Sequence, residues 1–257
     1  MIRLASWNVN GIRACFKNGF LDWFKKESFD FVALQEVRAD KEQIPPEVLN
    51  AMGFNSSWFA ATSKKGYSGV GILTKLPIEK TFYGMDHSIF DIEGRTIAVV
   101  TKPLILVSSY FPNSQDKGRR IDYKIEYCKR LNKWVNQLRE DFKRPLVLSG
   151  DYNIAHEEID LARPDDNHES AGFLPQEREW MDSFLKSGWV DSFRYLHPKS
   201  QRYSWWSART RARERNIGWR IDYNCMIEKD RSLIVGADIQ ENVLGSDHCP
   251  VTLDLSL

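Results

Sequence analysis

The chain has 257 residues, 42% of them apolar and 28% charged, with 36 Lys and Arg against 35 Asp and Glu. That length suits one large α/β domain able to bury a sizeable core, and ordinary apolar content with mixed charge excludes a mainly disordered chain. A formal net charge of +1 excludes global attraction to anions, so affinity for any polyanion has to come from local charge placement. No uninterrupted apolar run approaches the roughly 20 residues that cross a bilayer as a helix. Cys15, Cys128, Cys225 and Cys249 lie far apart without metal-ligand spacing, so reduced thiols in an intracellular protein are expected.

In chain order, Ile2–Trp7 and Phe29–Leu34 are the first β-like runs; residues 1–7 carry no secretory pattern and read directly as strand. Pro45-Pro46 before Glu47–Met52 and Gly53 reads as a helix with Pro at its start and Gly past its end. Gly69–Thr74, Arg95–Val100 and Leu104–Tyr110 continue the strand pattern. Over Arg120–Phe142 the residues Ile121, Ile125, Cys128, Leu131, Val135, Leu138 and Phe142 step by three and four, the spacing of one helical face. Leu146–Leu148 follows as strand, then Pro175–Lys186 as a helix whose buried side is Trp180, Met181, Phe184 and Leu185. Ile221–Ile227 and Val251–Leu255 close the set. Strands are mixed with helices, and no repeat or linker divides the chain, so a single α/β domain over residues 1–257 with layered sheets is expected.

Polar residues recur where these runs end. Ser6-Trp-Asn8-Val-Asn10 follows the first strand, Gln35-Glu36 the second, Ser149-Gly150-Asp151-Tyr152-Asn153 the run at Leu146; Asp222 opens another, and Gly245-Ser-Asp247-His248 precedes Cys249-Pro-Val. Any one of these alone reads as a turn former or a solvated strand end. Five polar ends on one rim of a layered sheet make a candidate cleft. A Mg²⁺-like ion takes oxygen ligands, one or two carboxylates with water and substrate phosphate, and Glu36 helped by Asn10 suits that. Asp151 can align or deprotonate a water that Asn153 holds, and an Asp–His pair orients His248 toward a phosphoryl oxygen. No serine-nucleophile motif or Cys₂His₂ spacing competes, so metal-assisted phosphodiester hydrolysis is the favoured chemistry.

Residues 199–220 hold seven Lys and Arg (Lys199, Arg202, Arg209, Arg211, Arg213, Arg215, Arg220) and one acid, Glu214, together with Trp205, Trp206 and Trp219. The plain alternative is a solvated basic loop with core tryptophans. Arginine forks suit phosphate and indole faces suit a sugar or base, so the mixture favours a nucleic-acid contact surface. Lys64-Lys65-Gly66-Tyr67-Ser68-Gly69 is a weaker phosphate-loop signal, and Tyr110-Phe-Pro-Asn113 offers a phenol and an amide after a strand.

With these residues assembled, the chain resembles the exonuclease III-like abasic-site (AP) endonucleases. The resemblance runs from Ser6 to Pro250 through SWNVNGIRA (6–14), LQEVRA (34–39), KGYSGVG (65–71), YFPN (110–113), SGDYNIAHEEIDL (149–161), GFLPQERE (172–179), YSWWSARTRARERNIGWRIDY (203–223) and GSDHCP (245–250). It implies a four-layer α/β sandwich, two packed mixed sheets flanked by helices. It also implies a Mg²⁺-dependent endonuclease, with Mn²⁺ as a substitute, that cuts 5′ to abasic sites in duplex DNA and leaves a 3′-hydroxyl and a 5′-deoxyribose phosphate. Carried over by motif, Glu36 binds the metal beside Asn10; Asn8, Asp151 and Asn153 line the catalytic centre; Tyr110 contacts the scissile phosphate. Asp222 pairs with His248, and Asp247 completes an acidic cluster, so that Asp151, Asn153, Asp247 and His248 join the expected metal surroundings. Trp205, Trp219 and Ile221 form a pocket for a flipped-out baseless sugar, which selects by volume. Arg13, Lys64, Asn113, Lys124, Asn167, Arg209 and Arg211 are expected DNA contacts. Asn10 stands where some members carry Asp, so one ligand charge is missing, and Arg209 stands where some carry an apolar wedge. Some members also incise at deoxyuridine, and Tyr123-Lys124 fits that group; 3′→5′ exonuclease and 3′-repair activity belong to the same expectation. The protein is expected to be a cytoplasmic monomer without membrane attachment, nucleoid-associated when on DNA. A phosphoesterase of the same superfold acting on inositol phosphates or sphingomyelin, and a non-catalytic nucleic-acid binder, are the competing readings.

Overall fold

In the computed structural model, which describes residues 1–49 and 53–257, the apolar runs pair into two six-stranded sheets. Strands β1 (Ile2–Asn8), β2 (Phe31–Gln35), β3 (Asn55–Phe59), β4 (Val70–Thr74), β11 (Ile234–Ile239) and β12 (Val251–Leu255) form one, in the order β11-β12-β1-β2-β4-β3. The other contains β5 (Lys80–Tyr83), β6 (Thr96–Val100), β7 (Ile105–Tyr110), β8 (Leu146–Asp151), β9 (Trp189–Asp191) and β10 (Asp222–Ile227), in the order β5-β6-β7-β8-β10-β9. Both sheets are mixed: β1 runs parallel to β2 and β7 to β8, and the remaining pairs are antiparallel.

The central strands are buried on both faces, which is why they read as continuous apolar runs rather than alternating ones. Leu4, Phe31, Ala33 and Leu253 of the first sheet meet Val99, Leu106, Val147 and Met226 of the second between the layers. The outer face of the second sheet is covered by the helices Ile121–Phe142 and Pro175–Lys186, through Tyr127, Leu131, Val135, Trp180, Met181 and Phe184. Phe20, Trp23 and Phe24, from the helical stretch that follows β1, cover the outer face of the first. The fold is thus the expected four-layer α/β sandwich.

The long helix starts one residue later than the spacing predicts: Arg120 is its N-cap, and Lys143 stops it in the left-handed region. The helix expected over Glu47–Met52 is present as Pro46–Leu49; residues 50–52 lie outside the described residues. β3, β5, β9 and β11 have no counterpart among the predicted strands.

Topology explains the rim. Parallel β1 and β2 end together, with Asn8 opposite Gln35, and Glu36 follows. Parallel β7 and β8 likewise end together, with Tyr110 opposite Asp151. Antiparallel β10 begins there, with Asp222 opposite Asp151, and antiparallel β12 begins beside the end of β1, delivering Asp247 and His248 just before it. One close approach secures β8. A Cβ on Gly150 would lie 1.9 Å from the Ser109 carbonyl oxygen of β7, so only glycine lets the strand reach Asp151 in this register.

Candidate active site

Asn8, fully buried at the end of β1, holds two carboxylates together: its side-chain amide donates to Glu36 Oε1 and to Asp151 Oδ2, each at 2.8 Å. Its own Oδ1 accepts from the Asn10 backbone N–H at 3.0 Å. Asp151 Oδ1 accepts the Asn153 backbone N–H at 2.8 Å, so both oxygens of this buried carboxylate are oriented. Asn10, Glu36, Arg38 and Asn153 all have φ between 44° and 52°. That left-handed backbone is tolerable for Asn, costs more for Glu and Arg, and concentrates strain at the rim.

His248 Nδ1 lies 2.8 Å from Asp222 Oδ2, and its Nε2 faces Asp151 Oδ2 at 3.8 Å. Ser204 locks the aspartate: its hydroxyl donates to Asp222 Oδ2 at 2.6 Å and accepts the Ile221 and Asp222 backbone N–H groups. Burial opposes charge on Asp151, Asp222 and Glu36 oppose it further, and the pull of His248 does not overcome them, so the Asp151 carboxyl is pushed up to about 7. Burial works against an imidazolium at His248, but Asp222 and then Asp151 overrule it and push its pKa up to about 10. Burial, with Glu36 adding to it, raises the Tyr110 phenol well above its ordinary value against the opposing pull of Arg95. At neutral pH, Tyr110 and His248 are therefore both proton donors, and Asp151 is poised to exchange a proton.

Glu36, Asp151 and His248 offer ligand atoms all within 4.8 Å of one another. Two carboxylates held this close by a neutral amide, one of them with a raised pKa, make an oxygen-rich donor set that fits a divalent cation. Asp247, expected in the same set, is held a step away: Asn10 donates to its Oδ1 at 2.8 Å and the Trp205 indole to its Oδ2 at 3.2 Å. Asn153 is likewise engaged, accepting from the Asn113 amide at 3.0 Å and donating to the Phe111 carbonyl at 3.0 Å.

These groups open onto a cavity of about 490 Å³ lined by Trp205, Trp219, Ile221, Gly172, Asn167 and the catalytic rim. Trp205 and Trp219 face one another because their backbones exchange hydrogen bonds of 2.9 and 2.8 Å, and their rings meet edge-to-face at 6.3 Å. Phe173, Leu161 and Ala155 pack behind them. The expected apolar pocket thus stands beside the carboxylates.

Around it the expected DNA contacts divide. Arg13 is exposed in a groove with Lys17, Arg38 and Gly66 that adjoins the cavity through Arg38. Lys64, Asn113, Arg209 and Arg211 are exposed, Asn167 half-buried on the cavity wall. Lys124 corrects its expectation. It is fully buried, donating to Glu177 and to the Asn153 carbonyl, both at 2.6 Å, so its ammonium cannot meet a phosphate at the surface. The basic segment is also less available than its charge implies. Arg220 is buried against Asp160 and Asp191, Arg202 pairs with Asp238 and Glu241, and Arg213 binds three backbone carbonyls over the ring of buried Trp206. Arg38, which ion-pairs with Glu36, and Ser204 are site residues that sequence reasoning passed over. Both lie inside the motifs that carry the family resemblance, Arg38 in LQEVRA two positions after Glu36 and Ser204 at the second place of the 203–223 stretch.

Comparison with known proteins agrees with this geometry. The Endonuclease/Exonuclease/phosphatase family model matches residues 5–223. An exodeoxyribonuclease of Bacillus subtilis is 42% identical over 258 residues, covering 100% of both chains. A DNA-(apurinic or apyrimidinic site) endonuclease of Dictyostelium discoideum is 33% identical over 260 residues, covering 100% of this chain and 71% of its own. Among solved structures, an AP endonuclease from Archaeoglobus fulgidus superposes with a TM-score of 0.88 at 25% identity, covering 100% of both chains. The chain belongs to the endonuclease/exonuclease/phosphatase family and, within it, to the exonuclease III-like AP endonucleases.

Proposed function

We propose that this protein is a DNA-repair AP endonuclease, a single catalytic domain over residues 1–257 that hydrolyses the phosphodiester 5′ to an abasic site in duplex DNA. The products are a 3′-hydroxyl and a 5′-deoxyribose phosphate. The observation that carries this reading is the Asn8-bridged Glu36–Asp151 pair opening directly onto the Trp205–Trp219 cavity. A carboxylate site alone would serve any phosphoester; an indole-walled slot beside it suits a baseless sugar, whose extrusion from the duplex costs least.

Glu36 and Asp151 are the residues that would hold the metal, Mg²⁺ with Mn²⁺ as a substitute, and Asn10, Asn153, Asp247 and His248 surround that position. When bound, the ion neutralises phosphoryl charge and acts as a Lewis acid. Asp151 aligns the attacking water and takes its proton, for which a carboxyl near 7 is suited. Asn8 and the Asn153 backbone N–H keep that carboxylate aimed. Tyr110 and the His248 imidazolium donate to phosphoryl oxygens, and Asp222 with Ser204 fixes the imidazole. Arg13, Lys64, Asn113, Asn167, Arg209 and Arg211 grip the flanking backbone. The same centre supports 3′→5′ exonuclease and 3′-repair activity. Incision at deoxyuridine belongs to the same reading as a further activity of this centre. We place the protein in the cytoplasm, monomeric, associated with the nucleoid when bound to DNA.

The test is a cleavage panel of duplexes carrying one abasic analogue, one deoxyuridine or a recessed 3′ end, each with Mg²⁺ and with EDTA. Incision 5′ to the abasic analogue, abolished by EDTA, is expected. An intact abasic strand in Mg²⁺, or equal turnover of a small soluble phosphoester, overturns the reading.

A further inference from the structure

Arg95 takes no part in the chemistry above, yet its guanidinium is almost completely buried one layer behind it, at 2% exposure. It lies over the ring of Tyr110 at 4.8 Å and over the ring of Tyr67 at 5.3 Å. Its hydrogen bonds have three destinations. Nε donates to Glu93 at 2.5 Å, Nη1 to the Tyr110 carbonyl at 3.2 Å, and Nη2 to the Tyr67 hydroxyl at 2.7 Å. The Arg95 carbonyl in turn accepts the Tyr110 backbone N–H at 2.8 Å, so Tyr110 is held through both its main-chain groups and its ring face. Arg120 closes the arrangement, donating to Glu93 at 2.8 Å and to the Tyr67 hydroxyl at 3.3 Å.

Tyr67 belongs to the loop that carries Lys64. The end of that loop is hydrogen-bonded to the residues after Glu36: Arg38 N–H donates to the Ser68 carbonyl at 2.8 Å and Val37 N–H to the Gly69 carbonyl at 2.9 Å. Arg95 therefore connects a surface loop, the strand end bearing Tyr110 and, through that loop, the backbone beside Glu36. Fork geometry is required for this, because a lysine ammonium is a point charge that cannot lie flat over a ring while reaching three acceptors.

We propose that Arg95 is a positioning residue for the phosphodiesterase reaction, setting the hydroxyl of Tyr110 and tying it to the Tyr67 loop. This rests on the proposed role of Tyr110 as a donor to the scissile phosphate. Misplacing a donor by about 1 Å can cost on the order of 10²-fold in rate. Arg95→Leu is therefore expected to lower kcat on the order of 10²-fold while KM, and affinity for the uncleaved abasic duplex in EDTA, stay within a few-fold.

The decisive measurement is a cycle with Tyr110→Phe, which keeps the ring and removes the hydroxyl. If Arg95 acts through that hydroxyl, adding Arg95→Leu to Tyr110→Phe lowers kcat no further. Multiplying losses would show that Arg95 supports the fold in general and would overturn the proposal. Tyr67→Phe, which deletes one hydroxyl from a half-buried ring, is the gentler variant; it is expected to lower kcat several-fold alone and not at all in the Tyr110→Phe background. The ¹⁹F spectrum of 3-fluorotyrosine-labelled protein supplies a readout without turnover. The Tyr110 resonance, assigned by its loss in Tyr110→Phe, is expected to shift in Arg95→Leu and Arg95→Lys; an unmoved resonance rejects positioning. A wild type that cuts no abasic duplex but whose Tyr110 resonance follows Arg95 would sink the assigned reaction and leave the positioning intact.

Discussion

Lys124→Met removes the cation of an ion pair with no exposure on either side. Glu177 would keep three donors, the Ser114 hydroxyl at 2.8 Å and the Gly172 and Leu174 backbone N–H groups at 2.7 and 3.0 Å, but would be left as a buried charge without its counter-ion. Breaking such a pair by removing one partner costs about 3–5 kcal/mol. For a chain of this size that corresponds to a Tm lowered by about 6–20 °C, at about 2–4 °C per kcal/mol. Lys124→Met/Glu177→Leu removes both charges and strands the two N–H groups, at about 1–3 kcal/mol each. The double variant is therefore expected to be markedly more stable than the sum of its single losses implies. Urea unfolding of wild type, both singles and the double gives the cycle directly. A Lys124→Met loss below about 1 kcal/mol, the size of an exposed pair, would refute the buried-pair account. So would a reduced salt slope of DNA binding in Lys124→Met, because only an ammonium that meets a phosphate contributes to that slope.

Arg209→Ala/Arg211→Ala should leave stability near wild type and shrink the magnitude of the salt slope by roughly 2, measured as log Kd against log salt, since each phosphate contact contributes about 0.9; an unchanged slope would show that both side chains miss the backbone. Asp151→Asn should reduce single-turnover cleavage by orders of magnitude while gel-shift affinity for abasic duplex holds, and near-normal turnover would remove Asp151 from the reaction. Burial alone would raise the Asp160 carboxyl, but Arg220 and then Arg194 hold it below the usual carboxylate range. Its stabilising contribution is thus complete above the unfolded value of about 3.9 and is lost as pH falls through the folded one. The unfolding free energy of wild type should accordingly drop toward that of Asp160→Asn below about pH 4, and parallel curves would reject the linkage.

The strands legible in the sequence were the central ones, where β-branched and aromatic residues run unbroken because both faces are buried. Of the four that escaped, Asn55–Phe59 and Lys80–Tyr83 carry polar residues at sheet edges, Trp189–Asp191 has only three residues, and Gly236 and Asp238 interrupt Ile234–Ile239. β8 was read only to Leu148 because its last three residues, Ser149, Gly150 and Asp151, serve a close strand approach and the active site rather than the core. Lys124 was misplaced despite a usable signal. It lies three after Ile121 and four before Cys128, inside the apolar stripe of its helix, and Glu177 holds the matching place before Trp180 and Met181. A lysine and a glutamate each at a core position of its own helix imply a buried partner, and that spacing could have paired them. The basic segment misled for the opposite reason: net charge counts guanidinium groups without showing which are consumed by Asp160, Asp191, Asp238 and Glu241.

The same distinction between counting charges and placing them resolves the departure at position 10. An aspartate there would face Asp247 at the 2.8 Å separation that Asn10 spans with a donated N–H, turning an attraction into a like-charge contact. With the neutral amide, Asp247 keeps a hydrogen-bond donor on one oxygen and its orientation toward the Trp205 indole on the other, at the mouth of the pocket. Glu36, Asp151, Asp222 and Asp247 then stand against the His248 imidazolium and the Arg38 guanidinium, so carboxyl groups outnumber cations at the rim. A fifth carboxylate would add to the raising effect that Asp222 and Glu36 already exert on the Asp151 carboxyl, away from the ionised form in which it can accept a proton. What looks in the sequence like a missing ligand is, in the folded protein, the donor that holds the neighbouring aspartate in place.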